Sequence, residues 1–384
     1  MRLTVARTWT TPSHARLSRR PVSVSFVIDR LSHAGTETQL LALLRYLDRE
    51  RVQPSMCLLD GHDELSQSLK PADCPVLNLG LKRLMSPAAA VAASKLARFW
   101  RRHRVDIVVT YFLDSTYFAA PLARLCGIRR VVRVRNNDGY WLTRGHHRLS
   151  RVMGKLCHLT LTNSEVGCRS LIAADGLAHD RVRVLENGVD LDRFGESMPP
   201  DTARPVVRIG AVANLRRVKN IDGLIRAAAA VCRADARARF EVAGDGDQRP
   251  ALEQQIQGAG LSDRFRLHGA VSNVPDFLAS VEIAVLCSHS ESMSNALLEY
   301  MAAGRAIIAT DVGSNAKVIR HGVDGLIVPP GDDSALARAV LELMTQPALA
   351  QALGASARAR VAGEYSRRAM VGRFEDFFLS LMKR

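Results

Sequence analysis

Segments with strand character and segments with helix character alternate along almost the whole of this chain, and they do so in two series separated by one Pro-rich break. An apolar-rich strand over 22–28 leads to a helix over 37–47, where Leu40, Leu43, Leu44 and Leu47 recur at helical spacing. Helices are expected over 86–103 and 116–126, and strands over 106–110, 130–134, 159–163 and 183–186. The segment GESMPPDTARP that follows Phe194 reads as a linker. Strands then recur at 206–212, 239–243, 265–267, 283–286, 306–310 and 325–328, with helices between them and from 333 onward. Strands alternating with helices imply parallel sheets covered by helices on both faces. The expected class is therefore α/β, with two doubly wound Rossmann-like domains over 22–200 and 205–364 and a closing helix over 365–384. The 384 residues also exceed what one ordinary core accommodates. Ligands of such sheets bind beyond the carboxyl ends of the strands, so a cleft between the domains is the expected site.

Composition excludes several classes. No apolar run approaches the roughly 20 residues that span a bilayer. Residues 1–21 are rich in Arg, Ser and Thr without an apolar stretch, and read as a basic disordered leader rather than a secretory signal. The seven cysteines are scattered, without a C-x-x-C pair or histidines at zinc spacing. That argues against a disulfide framework and a structural metal, and for a reducing, cytoplasmic compartment. The net charge of +15 is uneven: residues 1–200 hold 30 Lys and Arg against 18 Asp and Glu. The first half is thus suited to an acidic partner such as anionic lipid, a phosphorylated substrate or nucleic acid.

Three stretches look suited to phosphate. In AGTETQ, Gly35 precedes Thr36 and Gln39, which have capping-box spacing, and a strand, a glycine turn and a capped helix make an anion site. Arg216, Arg217 and Lys219 lie between a strand and the helix over 222–231, where cations clamp a diphosphate. In SHSESMSNALLEYMAAG a helix begins near Ser294 or Asn295, freeing the N–H groups of Ser294, Asn295 and Ala296 for phosphate oxygens. Glu291 precedes that helix and Glu299 lies more than one turn inside it. If both were helical they would stand about 12 Å apart, against the ~5–5.5 Å of a retaining glycosidase pair. They read better as partners of separate hydroxyl groups on either side of a bound phosphate. On the residues alone, solvated charge runs and a plain strand–helix connection stay open as alternatives. VAGDGD (242–247) supports only a tight turn, because Arg249 fills the last glycine position of a dinucleotide fingerprint.

The stretch HSESMSNALLEYMAAGRAIIATDVGSNAKVIRHGVDGLIVPPGD resembles the nucleotide-sugar motif of retaining glycosyltransferases of family four, the group 1 glycosyl transferases with the GT-B fold. AGTETQ, ENGVDLDRF, LRRVKNIDGLI, VAGDGD, LHGAVSNVPDFLASVEIAVLCS and the final EYSRRAMVGRFEDFFLSLMKR resemble the family in the same order. The resemblance implies that Glu291 contacts the transferred sugar and Glu299 the ribose hydroxyls. It implies that Lys219 with Arg216 or Arg217 holds the diphosphate, assisted by Gly35, Thr36 and the helix start at Ser294–Ala296, and that Val271 flanks the base. It implies no metal and no cofactor beyond the nucleotide-sugar donor, and a last helix that crosses back to the first domain. Two departures stand out. Asn214 occupies a position where many relatives carry arginine, and Arg135, Asn136 and Asn137 occupy the region where many carry a sugar-side histidine.

The function expected on these grounds is retaining transfer of a sugar from a nucleotide-diphosphate sugar to a hydroxyl of a glycan or lipid-linked acceptor. Cell-surface polysaccharide or glycolipid synthesis is the expected setting, at the cytoplasmic side. RFWRRHR (98–104) and YWLTRGHHRLSRVMGK (140–155) mix aromatics with cations and suggest contact with anionic membrane or a lipid-linked acceptor by aromatic insertion and charge attraction, with ordinary core packing of Phe99 or Trp100 as the open alternative. The alternatives are a nucleotide-sugar epimerase or sugar phosphorylase of the same fold. A basic nucleic-acid-binding protein is less favoured, because no recognised binding motif or aromatic platform is present.

Overall fold

A computed structural model describes residues 20–32, 34–136, 144–195 and 198–383. The first series comprises β1 (Val22–Ile28), α1 (Gly35–Tyr46), β2 (Val52–Leu58), α2 (Glu64–Ser68), β3 (Val76–Asn78), α3 (Pro87–Arg102), β4 (Ile107–Tyr111), α4 (Leu113–Leu125), β5 (Arg130–Val134), α5 (Arg144–Leu156), β6 (Leu159–Thr162), α6 (Glu165–Asp175) and β7 (Val182–Val184). Its strands form one parallel sheet in the order β3-β2-β1-β4-β5-β6-β7. The second comprises β8 (Val207–Val212), α7 (Ile221–Ala234), β9 (Ala238–Ala243), α8 (Arg249–Gly258), β10 (Phe265–Gly269), α9 (Val274–Ala279), β11 (Ile283–Leu286), α10 (Asn295–Ala302), β12 (Ala306–Thr310), α11 (Asn315–Val318) and β13 (Leu326–Val328). Helices α12 (Asp333–Thr345), α13 (Pro347–Glu364) and α14 (Arg367–Met382) complete the described chain. The second sheet is also parallel, ordered β10-β9-β8-β11-β12-β13. These are the two doubly wound α/β domains that the alternation implies.

The central strands are buried on both faces because helices cover both faces. Every residue of β1, β4, β11 and β12 is buried. In each sheet the strand order reverses between neighbours, at β1/β4 and at β8/β11, and a crevice opens beyond the strand ends at such a point.

Helix α14 joins the first core rather than the second. Met370, Val371, Phe377, Phe378 and Leu381 are buried among the residues of β1, β2 and α1. Phe378 meets Phe26 edge to face at 5.9 Å between centroids, a favoured aromatic geometry. Glu375 accepts from the Asp48 N–H at 2.8 Å and pairs with Arg51. Backbone bonds between Val189 and the start of α14 close the junction, Val189 N to Tyr365 O at 2.9 Å and Arg367 N to Val189 O at 2.8 Å.

Three local expectations need correction. Strands β2 and β3 have no counterpart in the expected element list. Pro54 within β2 argues against a strand, yet alternate N–H groups of β2 point toward β3, and β3 begins opposite Met56. The missing N–H of Pro54 therefore faces the open side beyond β3. The capping box is not made: α1 starts at Gly35 with Ala34 as its cap residue and no side-chain capping bond, so Thr36 is already inside the helix. Trp100 is no membrane anchor. It is 2% exposed, donates from Nε1 to Ser25 Oγ at 3.0 Å and belongs to the core beneath α3, while Phe99 packs against that core and His103.

Candidate active site

The carboxyl ends of both sheets border one cleft of about 860 Å³, open to solvent. Its second-domain wall is built around the start of α10. Ser294 is the cap residue, its Oγ accepting from the Leu297 N–H at 3.4 Å. Ser294, Asn295 and Ala296 all line the cleft. The N–H groups at a helix start have no partner within the helix and carry the positive end of its dipole, so this wall attracts an anion.

The loop before α10 is held by close backbone packing. Gly313 lies at φ +58°, and a Cβ there would stand 2.2 Å from the Glu291 carbonyl oxygen. Ser314 N donates to Ser292 O at 2.9 Å. So supported, Glu291 reaches Lys219, which follows β8 on a single 3₁₀ turn, Arg217–Lys219. The Lys219 ammonium donates to Glu291 Oε1 at 2.5 Å, and Ser288 Oγ donates to the same oxygen at 2.7 Å. Lys219 and Glu291 side chains keep 24% and 10% of their surface, so the pair is reachable from the cleft. The two loops are tied through His289 N to Val218 O at 2.8 Å and Asn220 Nδ2 to Cys287 O at 3.1 Å.

Glu299 lines the cleft one helical turn below Asn295. Burial pushes its carboxyl up to about 7, and Arg193 opposes that shift only in part. A carboxyl poised near neutrality can accept hydrogen bonds from ligand hydroxyls in its ionised form.

The first domain closes on this wall through α1. Asn295 Nδ2 donates to Gly35 O at 3.2 Å, and a Cβ on Gly35 would stand 2.7 Å from that nitrogen. Gln39 Nε2 donates to Asn295 Oδ1 at 3.2 Å and to Gly188 O at 2.9 Å, while Asn187 Nδ2 donates to Asn295 Oδ1 at 2.8 Å. Farther along, Ser292 Oγ donates to Asn163 Oδ1 at 2.6 Å and lies 2.7 Å from Ser164 Oγ. Asn163, Asn187 and Ser292 are site or interface residues that sequence reasoning missed, and Gln39, expected as a capping partner, bridges the domains instead. Asn187 lies within ENGVDLDRF and Ser292 within the glutamate loop, so the motifs contained them without revealing which side chain bridges.

Of the expected site residues, Gly35, Thr36, Asn136, Asn214, Arg216, Lys219, Val271, Glu291, Ser294, Asn295, Ala296 and Glu299 line the cleft. Arg217 does not: it faces a neighbouring pocket of about 240 Å³ with Asp222, Gln248 and Gln255. Between the two arginines, therefore, Arg216 is the one at the cleft. Arg135 is likewise absent from the lining. It is buried and bonded to Asp175 Oδ2 at 3.2 Å and to Ser150 Oγ at 2.8 Å, beside Arg133, which pairs with the same carboxylate at 2.6 Å. Asn137 lies outside the described residues.

The comparisons with known proteins agree with this fold. The Glycosyltransferase Family 4 model matches residues 33–193, and the Glycosyl transferases group 1 model matches residues 206–346. The lipopolysaccharide core biosynthesis glycosyltransferase LpsD of Rhizobium meliloti is 33% identical over 305 residues, covering 75% of this chain and 81% of that protein. The alpha-D-kanosaminyltransferase of Streptomyces kanamyceticus is 34% identical over 165 residues, but this match spans only 42% of each protein. The chain likewise spans less than half the length of the next two relatives, 33% and 45%. Among solved structures, Anabaena HepE in complex with UDP superposes with a TM-score of 0.80 at 18% identity, covering 94% of this chain and all of that one. A glycosyltransferase from Rickettsia africae superposes with a TM-score of 0.81 at 18% identity, covering 95% and 99%. At such identity the superpositions speak for the GT-B fold, while the domain matches and the long alignment to LpsD speak for descent. This chain belongs to the group 1, family 4 glycosyltransferases.

Proposed function

We propose that this glycosyltransferase moves a sugar from a nucleotide-diphosphate sugar to a hydroxyl of a glycan or lipid-linked acceptor, with retention of anomeric configuration. The observation that carries the reading is the Lys219–Glu291 pair at the cleft, next to the N-terminus of α10. When the sugar–phosphate bond breaks, negative charge gathers on the departing diphosphate. In this reading Arg216 and the N–H groups of Asn295 and Ala296 take that charge, joined by Lys219 once it leaves Glu291. As Lys219 turns to the phosphate, Glu291 is freed to accept hydrogen bonds from the sugar, and Glu299 from the ribose. We propose no metal, since these donors provide the counter-charge. In the proposed front-face attack the leaving phosphate takes the proton of the acceptor hydroxyl, so bond making and proton transfer stay on one face.

The names of similar proteins support the donor class. The HepE structures were determined with UDP and with UDP-glucose, and a 2-deoxystreptamine glucosyltransferase of Streptomyces kanamyceticus is 28% identical over 292 residues. LpsD, by its name, serves a lipopolysaccharide core, which fits an acceptor presented at a membrane. No helix among the described residues is long and apolar enough to cross a bilayer. We propose peripheral contact through α5, where Leu149 and Val152 are 41% and 57% exposed beside the exposed cations Arg148, Arg151 and Lys155. Apolar and basic side chains side by side on a helix suit an anionic lipid surface.

The test is release of nucleoside diphosphate from a panel of nucleotide sugars, with and without glycan acceptors, followed by NMR of the product's anomeric proton. Acceptor-dependent release with a retained anomer supports the reading, and an inverted product or acceptor-independent conversion of the sugar contradicts it. Flotation with vesicles containing anionic lipid checks the contact through α5, which Leu149→Glu together with Val152→Glu should abolish.

A further inference from the structure

The first domain is strongly basic, yet its share of the cleft is not. Among the described residues, the one charged side chain that this domain contributes to the cleft lining is a carboxylate, Glu37 in the first turn of α1. The cleft's described cations, Arg216 and Lys219, both belong to the second domain. Arg135, the first-domain cation expected at the sugar, is buried against Asp175 instead. The remaining polar lining on that side is neutral, with Thr36, Thr38, Asn136 and Asn163.

Glu37 is itself 6% exposed, with Oε1 accepting from Ser32 Oγ at 2.7 Å. Its Oε2 is buried without a partner among the described residues. An unmet buried carboxylate oxygen is costly, so such an atom is kept where something else supplies the missing donor. Glu37 lines the cleft, so a ligand bound there is an available source of that donor. Phe112, also in the cleft lining, lies at φ +67°, a conformation that a bulky residue adopts only under strain and that clusters at functional sites.

Building on the transferase reading, we infer that the acceptor group entering the first-domain half of the cleft is an uncharged or amino-bearing polyhydroxyl ring, not a phosphorylated or carboxylated one, and that Glu37 takes a hydroxyl or ammonium hydrogen from it. An acceptor anion there would meet a carboxylate with no cation of that domain among the described lining to offset it. The surplus cations of the first domain lie on outer surfaces instead, at the end of α3 and along α5. Charge that draws the protein to an anionic surface is thereby separated from the chemistry that selects the reacting ring.

The test uses the full chain saturated with UDP, so that a phosphate cannot simply occupy the Lys219 side. Methyl α-D-glucopyranoside, glucosamine and glucose 6-phosphate are compared by saturation-transfer NMR titration. The expected result is binding of the first two, with glucose 6-phosphate weaker by about tenfold or more. Glu37→Gln should weaken glucosamine by roughly tenfold, the size of a charge-assisted bond, and the neutral glycoside by less, while UDP affinity stays unchanged. Glucose 6-phosphate binding as well as the glycoside overturns the inference, as does failure of all three to bind. A Glu37→Gln variant that loses UDP and sugars alike points to a structural role and overturns the assignment of Glu37. Should that variant not fold, the comparison of the three sugars on the native protein still decides. If UDP itself does not bind and no nucleotide sugar is consumed, the failure lies with the transferase reading instead.

Discussion

Lys219 and Glu291 neutralise one another across 2.5 Å, so a diphosphate must compete with Glu291 for the ammonium. Under the proposed mechanism, Lys219→Ala lowers turnover by ~10²–10³, as loss of one oxyanion donor does. Glu291 keeps its bond from Ser288 in that variant, so the melting temperature should change little; nucleotide release and a thermal melt check both. Glu299 gives a pH signature. Its carboxyl is raised to about 7 by burial, so the folded state holds its proton more tightly than the unfolded state does. The stability this contributes is fully present below about 4.5 and is lost as pH rises through about 7. Ribose hydroxyls favour the ionised form, so nucleotide affinity should rise from pH 6 to 8, and Glu299→Gln should flatten that profile in calorimetric titrations. At this scale the sequence was informative where a motif and a helix start coincide, as at Glu291, Ser294 and Glu299. It was uninformative where a distant partner decides. Arg135 reads as a sugar contact until Asp175, 40 positions away, is seen to hold it.

Helix α10 acts through its first turn, so whatever shifts the preceding loop should disturb the site. Gly313→Ala puts a methyl group against the Glu291 carbonyl at a left-handed backbone position. It should cost about 1–3 kcal/mol in stability and reduce turnover further than that loss explains; denaturant titration and nucleotide release measure the two effects. The strands that were legible are those rich in apolar residues, such as the unbroken runs of β11 and β12. Strand β2 was obscured by Pro54, whose tolerance depends on where β3 begins, and β3 itself has three residues, too few for a pattern. The start of α10 was legible because Ser294 carries its own capping oxygen. The start of α1 was not, because Ala34 offers none and Thr36 only imitates a cap.

For the whole molecule, strand–helix alternation and one linker were enough to foresee two doubly wound domains. Their placement face to face was not legible in spacing, since it rests on pairs such as Gln39 with Asn295, 256 positions apart. Helix α14 adds the other tie. Phe378→Ala should cost about 3–5 kcal/mol, seen as a lower denaturant midpoint, because the ring is fully buried against Phe26 in a core it joins from the far end of the chain. The donor site as proposed draws its counter-charge from side chains and backbone alone, so chelation with EDTA should leave nucleotide release unchanged.

The central claim is that the diphosphate of an activated sugar sits at the start of α10 while α1 closes over it. A crystal structure with UDP tests it most directly. The account predicts phosphate oxygens within hydrogen-bond reach of the Asn295 and Ala296 N–H groups and of Lys219, with the ribose at Glu299. Phosphates bound elsewhere, or Lys219 still paired with Glu291 beside a bound diphosphate, would contradict it.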